Sequence, residues 1–316
     1  MSRRIHPFIA AAPVAWLADH GGLPEGVDGG QLHSPDGVPV ETQRRLLEEV
    51  AARGGEAALL TLAGALGGAT DQPLLFVMLN SRSVDDFLDK EQRFNRFFHS
   101  DHRVRVLERA ERRVVLEHHG ERDTPARVES LYVLGIHLEM FGLLGCQELS
   151  FALADSSEPT RRLQRGTGLE LPAGGCARWR IGWERFTPRR EPMPGLDELL
   201  LAQAAPRDLA EDDSVAGRVE RIVAGDLAHR WTLGEVAAAL HTSGRTLQRE
   251  LSQADTSFSR VLDRIRVQSA ARMLRDPARS VTEVGYVCGF SDGAHFSRRF
   301  KAHMGAPPAS WRKAQH

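Results

Sequence analysis

Arg245, Gln248 and Arg249 fall within five residues of one another and carry side chains suited to reading DNA. An arginine fork matches O6 and N7 of guanine, and a glutamine amide matches N6 and N7 of adenine, both in the major groove. Their spacing puts all three on one helical face. Ser243, the expected N-cap, and Thr246 complete this candidate contact set. A second set follows: Gly293, Ala294, His295, Ser297, Arg298 and Lys301. Gly293 and Ala294 offer no hydrogen-bonding side chain. This set is therefore expected to read fewer bases and to rely more on phosphates and DNA shape, with Arg298 carrying much of what it reads. His295 is read equally as a DNA contact or as packing beside Phe296.

Other constellations fit an active centre less well. His99-x-x-His102 lacks the cysteine partners of a zinc finger, and no metal ligand set is assigned among His99, His102, His118, His119, His137 and Cys146. Asp85-Asp86 stands in the first turn of a helix, where negative charge opposes the dipole, and Asp212-Asp213 falls in a linker. The glycines of GALGG (64–68) are followed by no GK[ST] and make no phosphate loop. No catalytic residue and no cofactor are assigned, and the chain is read as a non-enzyme. Three scattered cysteines, Cys146, Cys176 and Cys288, fit buried thiols in a reducing compartment.

Two helix pairs are expected to position the candidate contacts. Thr232 with Glu235 makes a T-x-x-E capping box. Val236, Ala237 and Leu240 line one face, and the helix stops at His241-Thr242. Ser243 opens the next helix, with Leu247 and Leu251 inward. The design repeats: Ser280 with Glu283, then Val284, Val287 and Cys288 inward, a turn at Gly289-Phe290, and a cap at Ser291 or Asp292 with Phe296 and Phe300 in the core. Between the pairs, 257–277 reads as a helix of roughly 19 residues and so about 28 Å long. Successive major-groove faces recur every ~34–36 Å, so such a strut suits two groove readers. Charge agrees: residues 214–316 hold 16 Lys/Arg against 9 Asp/Glu, net +7, while the remainder is net −8. That asymmetry favours a polyanionic partner.

The 316 residues, 41% hydrophobic and 26% charged, suggest two soluble domains. An N-terminal α+β domain is placed at 1–186. Helical spacing marks 42–54, 83–99 and 124–145, and alternation marks strands at 103–120, 147–155 and 177–186. Phe87, Phe94, Phe97, Phe98, Phe141, Trp179 and Trp183 are core residues by default, or line a pocket. A linker with four prolines spans 187–214, with a short helix at Leu196–Ala202. An all-α domain with two helix-turn-helix motifs joined by a long helix spans 215–316. No apolar run approaches a membrane span, and His6, Pro7 and Pro13 interrupt the N-terminal apolar stretch, against a signal peptide.

The motifs S-x-R-T-L-Q-R-x-L (243–251), I-R…A…M-L (265–274), G-F-S-D…F-S-R-x-F-K (289–301) and G-x-P-P-x-x-W-R (305–312) resemble the AraC/XylS transcription-regulator DNA-binding domain. The resemblance covers about 100 residues. It implies recognition helices in successive major grooves, with the two residue sets above as their contacts. It also implies a cytoplasmic, nucleoid-associated bacterial homodimer on double-stranded promoter DNA, with RNA polymerase as a further partner. Gly285 departs from the alanine usual in the family, and as a helix-interior glycine it is expected to loosen its helix by about 1 kcal/mol. The N-terminal part is similar to the sensing type of ornithine-utilisation and virulence regulators, and not to the cupin-like sugar-binding type. That similarity implies an effector-binding or dimerising role, with the ligand-binding residues unassigned. A domain that only dimerises or binds a protein partner is the alternative, and an enzyme fused to a DNA-binding domain is a second one.

Overall fold

The computed structural model of the chain describes residues 4–5, 7–32, 38–64, 73–97, 102–121, 123–153, 161–162, 171, 174–188, 213–277 and 279–315. Most of the stretch expected to be a linker, with its short helix at 196–202, lies outside these residues, as do His99, Phe98 and most of GALGG. The first helices are α1 (Pro7–Asp19), α2 (Gly29–Leu32), α3 (Val40–Gly54), α4 (Glu56–Thr61), α5 (Pro73–Leu79), α6 (Val84–Phe97) and α7 (Arg127–Leu144). They are followed by α8 (Val215–Ala224), α9 (Leu233–Ala239), α10 (Gly244–Gln253), α11 (Phe258–Met273), α12 (Val281–Val287), α13 (Gly293–Met304) and α14 (Pro308–Lys313). The chain divides into two compact units. Met1–Ala69, Arg82–Leu88 and Phe98–Arg190 form the first, and Thr70–Ser81, Asp89–Phe97 and Glu191–His316 the second. Both units are discontinuous in sequence, and the division falls inside α6.

The first unit holds the strands: β1 (Arg4–Ile5), β2 (Val38–Pro39), β3 (His102–Ala110), β4 (Arg113–Gly120), β5 (Cys146–Gln147), β6 (Ser150–Leu153), β7 (Arg161–Arg162), β8 (Arg178–Gly182) and β9 (Arg185–Phe186). Five of them form a sheet in the order β3-β4-β8-β6-β7 in which every neighbour pairs antiparallel. The period of two expected of a half-buried sheet is visible in the register. Val114 and Leu116 of β4 stand opposite Ile181 and Trp179 of β8, which stand opposite Phe151 and Leu153 of β6, and all six are buried. Leu46, Leu47 and Val50 form the buried face of α3. α7 is buried over much of its circumference, and Phe87 meets its Phe141 edge-on with ring centroids 5.7 Å apart. The apolar N-terminal stretch forms α1, which packs on α3 and buries Ala10, Ala12 and Leu17.

The described residues of the second unit are helical. One core gathers Val219 and Val223 of α8, Val236 of α9, Leu247 and Leu251 of α10, and Val261 and Ile265 of α11. α11 ends at Met273, short of the Asp276-Pro277 stop read from sequence, and has 16 residues. Its length is therefore roughly 24 Å, not 28 Å.

Candidate nucleic-acid interface

Side-chain caps begin the two helix pairs and fix where each helix starts. In α9, Thr232 Oγ1 accepts from the Glu235 amide at 3.2 Å, and Glu235 Oε2 accepts from the Thr232 amide at 2.7 Å. This is the expected capping box. Ser280 Oγ accepts from the Glu283 amide at the start of α12, 3.0 Å away. Ser243 Oγ accepts from the Thr246 amide at 3.1 Å and lies 2.9 Å from its hydroxyl. For α13 the cap is Asp292 and not Ser291. Its Oδ1 accepts from the His295 amide at 2.7 Å, and that bond holds the carboxyl below its usual range. Each such cap contributes about 1 kcal/mol to its helix.

Within each pair one residue of the turn has left-handed backbone. In the first it is His241 (φ 54°), and in the second Gly289 (φ 81°). The two are not equivalent. A Cβ on Gly289 would lie 1.9 Å from the carbonyl oxygen of Leu227, so only glycine fits.

The turns leave the expected faces outward. Arg245, Gln248 and Arg249 are exposed on α10, while Leu247 and Leu251 are buried. Ser243 is exposed and Thr246 half-buried. On α13, Gly293, Ala294, Arg298 and Lys301 are exposed, Ser297 is half-buried, and Phe296 and Phe300 are core. His295 is half-buried. Its Nδ1 lies 3.1 Å from Ser291 Oγ and its ring meets Phe290 edge-on, and burial holds the imidazole below its usual range.

Three supports behind these faces were not read from sequence. Arg266 of α11 is buried, with Nη2 donating to the carbonyls of Leu227 (3.2 Å) and His229 (3.1 Å), and burial pushes its guanidinium down to about 10. Arg299 of α13 pairs with Asp263 of α11 at 3.4 Å. The third support comes from far upstream. Tyr286 of α12 is fully buried, and its hydroxyl donates to the Lys90 carbonyl at 3.2 Å and lies 3.4 Å from Met78 Sδ. Phe94 and Phe97 meet its ring edge-on, at 5.6 and 6.0 Å, and the Arg93 guanidinium lies over it at 4.9 Å. Lys90 Nζ pairs with Asp226 Oδ2 at 2.9 Å, both side chains buried, and also donates to the Asn80 carbonyl. Arg93 donates to the carbonyl of Ala228.

This segment corrects the reading of Gly285. A Cβ there would lie 2.6 Å from Cδ1 of Phe296 and 3.0 Å from Cε1 of Phe97. The glycine is a point of close approach, and packing rather than helix propensity explains it.

In the first unit, Ser83, Val84, Asp85, Arg109, Ala110, Glu111, Val114, Trp183 and Phe186 line a cleft of about 320 Å³, with Asp85 and Arg109 paired at 3.1 Å. Of the aromatic residues named from sequence, Trp183 lines this cleft. Phe87, Phe141 and Trp179 are core. Rings of His118 and His137 lie 6.3 and 6.1 Å from Trp179. Burial pushes the His118 imidazole down to about 3. The three cysteines are buried free thiols, and burial pushes Cys146 and Cys288 up to about 12, so neither is a reactive thiolate.

The second unit is thus a set of short, capped helices presenting two exposed basic faces. Residues 236–314 match the family described as "Helix-turn-helix domain", and the C-terminal region is an AraC-type domain of that kind. This region is 34% identical over 98 residues to the porin thermoregulatory protein EnvY of Escherichia coli (strain K12), covering 31% of this chain and 39% of that protein. It is 35% identical over 95 residues to the HTH-type transcriptional regulator YdeO of Shigella flexneri, covering 30% and 37%. The chain thus spans under two-fifths of the length of these curated relatives. A solved DNA-binding transcriptional dual regulator from Escherichia coli K-12 shares 26% identity over 32% of this chain and 92% of its own, with a TM-score of 0.32. Among the described residues, no helix is long and apolar enough to cross a membrane.

Proposed function

We propose that the chain is a DNA-binding transcriptional regulator that reads its operator with two helix-turn-helix pairs, α9–α10 and α12–α13, joined by α11. The observation that carries this is the pair of capped helices, each with one buried apolar face and one exposed face bearing arginine. α10 offers Arg245, Gln248 and Arg249, with Ser243 and Thr246 at its start. α13 offers Arg298, Lys301, Ser297, Gly293 and Ala294, with His295 committed partly to its own turn. α11 alone is shorter than the ~34 Å groove repeat.

The test starts from duplexes enriched from a random pool by the full-length protein. Arg245→Ala, Gln248→Ala and Arg249→Ala should each relax base preference by about 1–3 kcal/mol where they read bases. Each lost phosphate contact should reduce the salt slope by about 0.9. Unchanged affinity, slope and preference in all three variants would overturn the assignment. The first unit serves to bind a small effector and to dimerise, and the cleft beside Trp183 supports the effector reading. A thermal-shift ligand screen of the full chain that moves no transition would favour dimerisation or protein binding alone.

A further inference from the structure

We propose that α5 and the last turns of α6 are working parts of the DNA reader: they position the second recognition helix, α13, by acting through Gly285 of α12. This rests on the DNA-reading assignment above. The argument begins with the missing side chain. The same point beside Gly285 lies 3.0 Å from the Phe97 ring and 2.6 Å from the Phe296 ring. Two aromatic rings therefore flank one glycine. Phe97 belongs to α6 and is buried. Phe296 belongs to α13 and is followed in sequence by Ser297 and Arg298, which face outward or nearly so. Movement of Phe97 toward or away from α12 changes the space in which Phe296 sits, and packed interiors transmit such shifts because they hold few voids.

The remaining contacts hold α6 in that position. Tyr286, next to Gly285, is bonded to the Lys90 carbonyl, 196 positions away, and contacts Met78, 208 positions away. The buried Lys90–Asp226 pair and the Arg93 bond to Ala228 tie α6 to the loop after α8. That loop's carbonyls at Leu227 and His229 also receive Arg266 of the strut α11. The segment thus meets α12 and the support of α11, and it presents neither Arg245 nor Arg298 to DNA. Its residues are positioning residues, and their effect should appear at one half of the operator.

The experiment uses the full chain and the duplex enriched by the unaltered protein, with base preference measured at each position for Phe97→Ala, Phe97→Leu, Arg298→Ala and Arg245→Ala. Phe97→Ala should lose about tenfold in affinity and relax preference only at the positions that Arg298→Ala relaxes. The double variant Phe97→Ala/Arg298→Ala should be little worse than Arg298→Ala, and Phe97→Leu should recover most of the loss. Tyr286→Phe, which keeps the ring and removes the hydroxyl contacts to the Lys90 carbonyl and Met78, serves as a second probe of the same half should Phe97→Ala fail to fold. Unchanged preference at the Arg298 positions, or an equal loss at both halves, overturns the proposal. If the unaltered protein enriches no sequence, the DNA-reading assignment itself fails, a result distinct from either.

Discussion

Gly285→Ala sets two physical effects against each other, and the structure decides the sign. In a solvent-facing helix the change would stabilise by about 1 kcal/mol, because alanine loses less backbone freedom on folding. Here the added methyl would stand 2.6 Å from a ring carbon of Phe296, which is 2% exposed, and 3.0 Å from Phe97, which is 4% exposed. Neither ring has solvent to move into, and overpacking of this kind costs about 1–3 kcal/mol. The net expectation is destabilisation by up to about 2 kcal/mol. Hydrogen exchange of peptides covering 281–304 reads this locally, without assuming that two units unfold together. Exchange there should quicken about tenfold, since ~1.4 kcal/mol is a factor of ten. Slower exchange in the variant, with a raised unfolding midpoint, would refute the close approach and restore helix propensity as the governing effect.

Three further outcomes follow from contacts described above. Gly289→Ala should cost about 3–5 kcal/mol, from left-handed strain and the clash with Leu227, whereas His241→Gly should be neutral or stabilise by up to about 1 kcal/mol; urea midpoints distinguish them. Lys90→Met leaves the buried Asp226 carboxylate without its cation and should cost about 3–5 kcal/mol, and adding Asp226→Asn, which keeps the acceptor for the Ala228 and His229 amides, should recover much of it. His118 is neutral when folded, with its imidazole pushed from 6.5 to about 3. Its unfolded form takes a proton below pH 6.5 that the folded form refuses, so stability is fully present above 6.5 and falls as pH drops toward 3. The loss at pH 4.5 should be about 2–3 kcal/mol, and it should shrink in His118→Gln; an identical pH slope in the variant would remove His118 from the account.

The second unit's capped helix pairs are legible because their starts are written locally. Thr232, Ser243, Ser280 and Asp292 cap within three residues, and the apolar spacing that follows names the buried face. α1 escaped notice for the opposite reason: it is apolar on most sides and contains Pro13, so no face stands out. α5 and the role of α6 were illegible because their partners lie about two hundred positions away, and Gly285 was misread because a propensity scale contains no neighbours. The strut was read too long because its amphipathic pattern continues past Met273, where the helix ends.

The buried pairing of Lys90 with Asp226 bears on how such a protein can be recombined. The proline-rich stretch at 187–214 looks like the natural place to exchange one N-terminal half for another. A graft cut there would carry away Met78, Lys90, Arg93 and Phe97 and bring foreign side chains to Tyr286, Gly285 and Asp226. Swapped halves should therefore work only when Thr70–Ser81 and Asp89–Phe97 travel with the C-terminal region, which puts a seam inside α6 rather than in the linker.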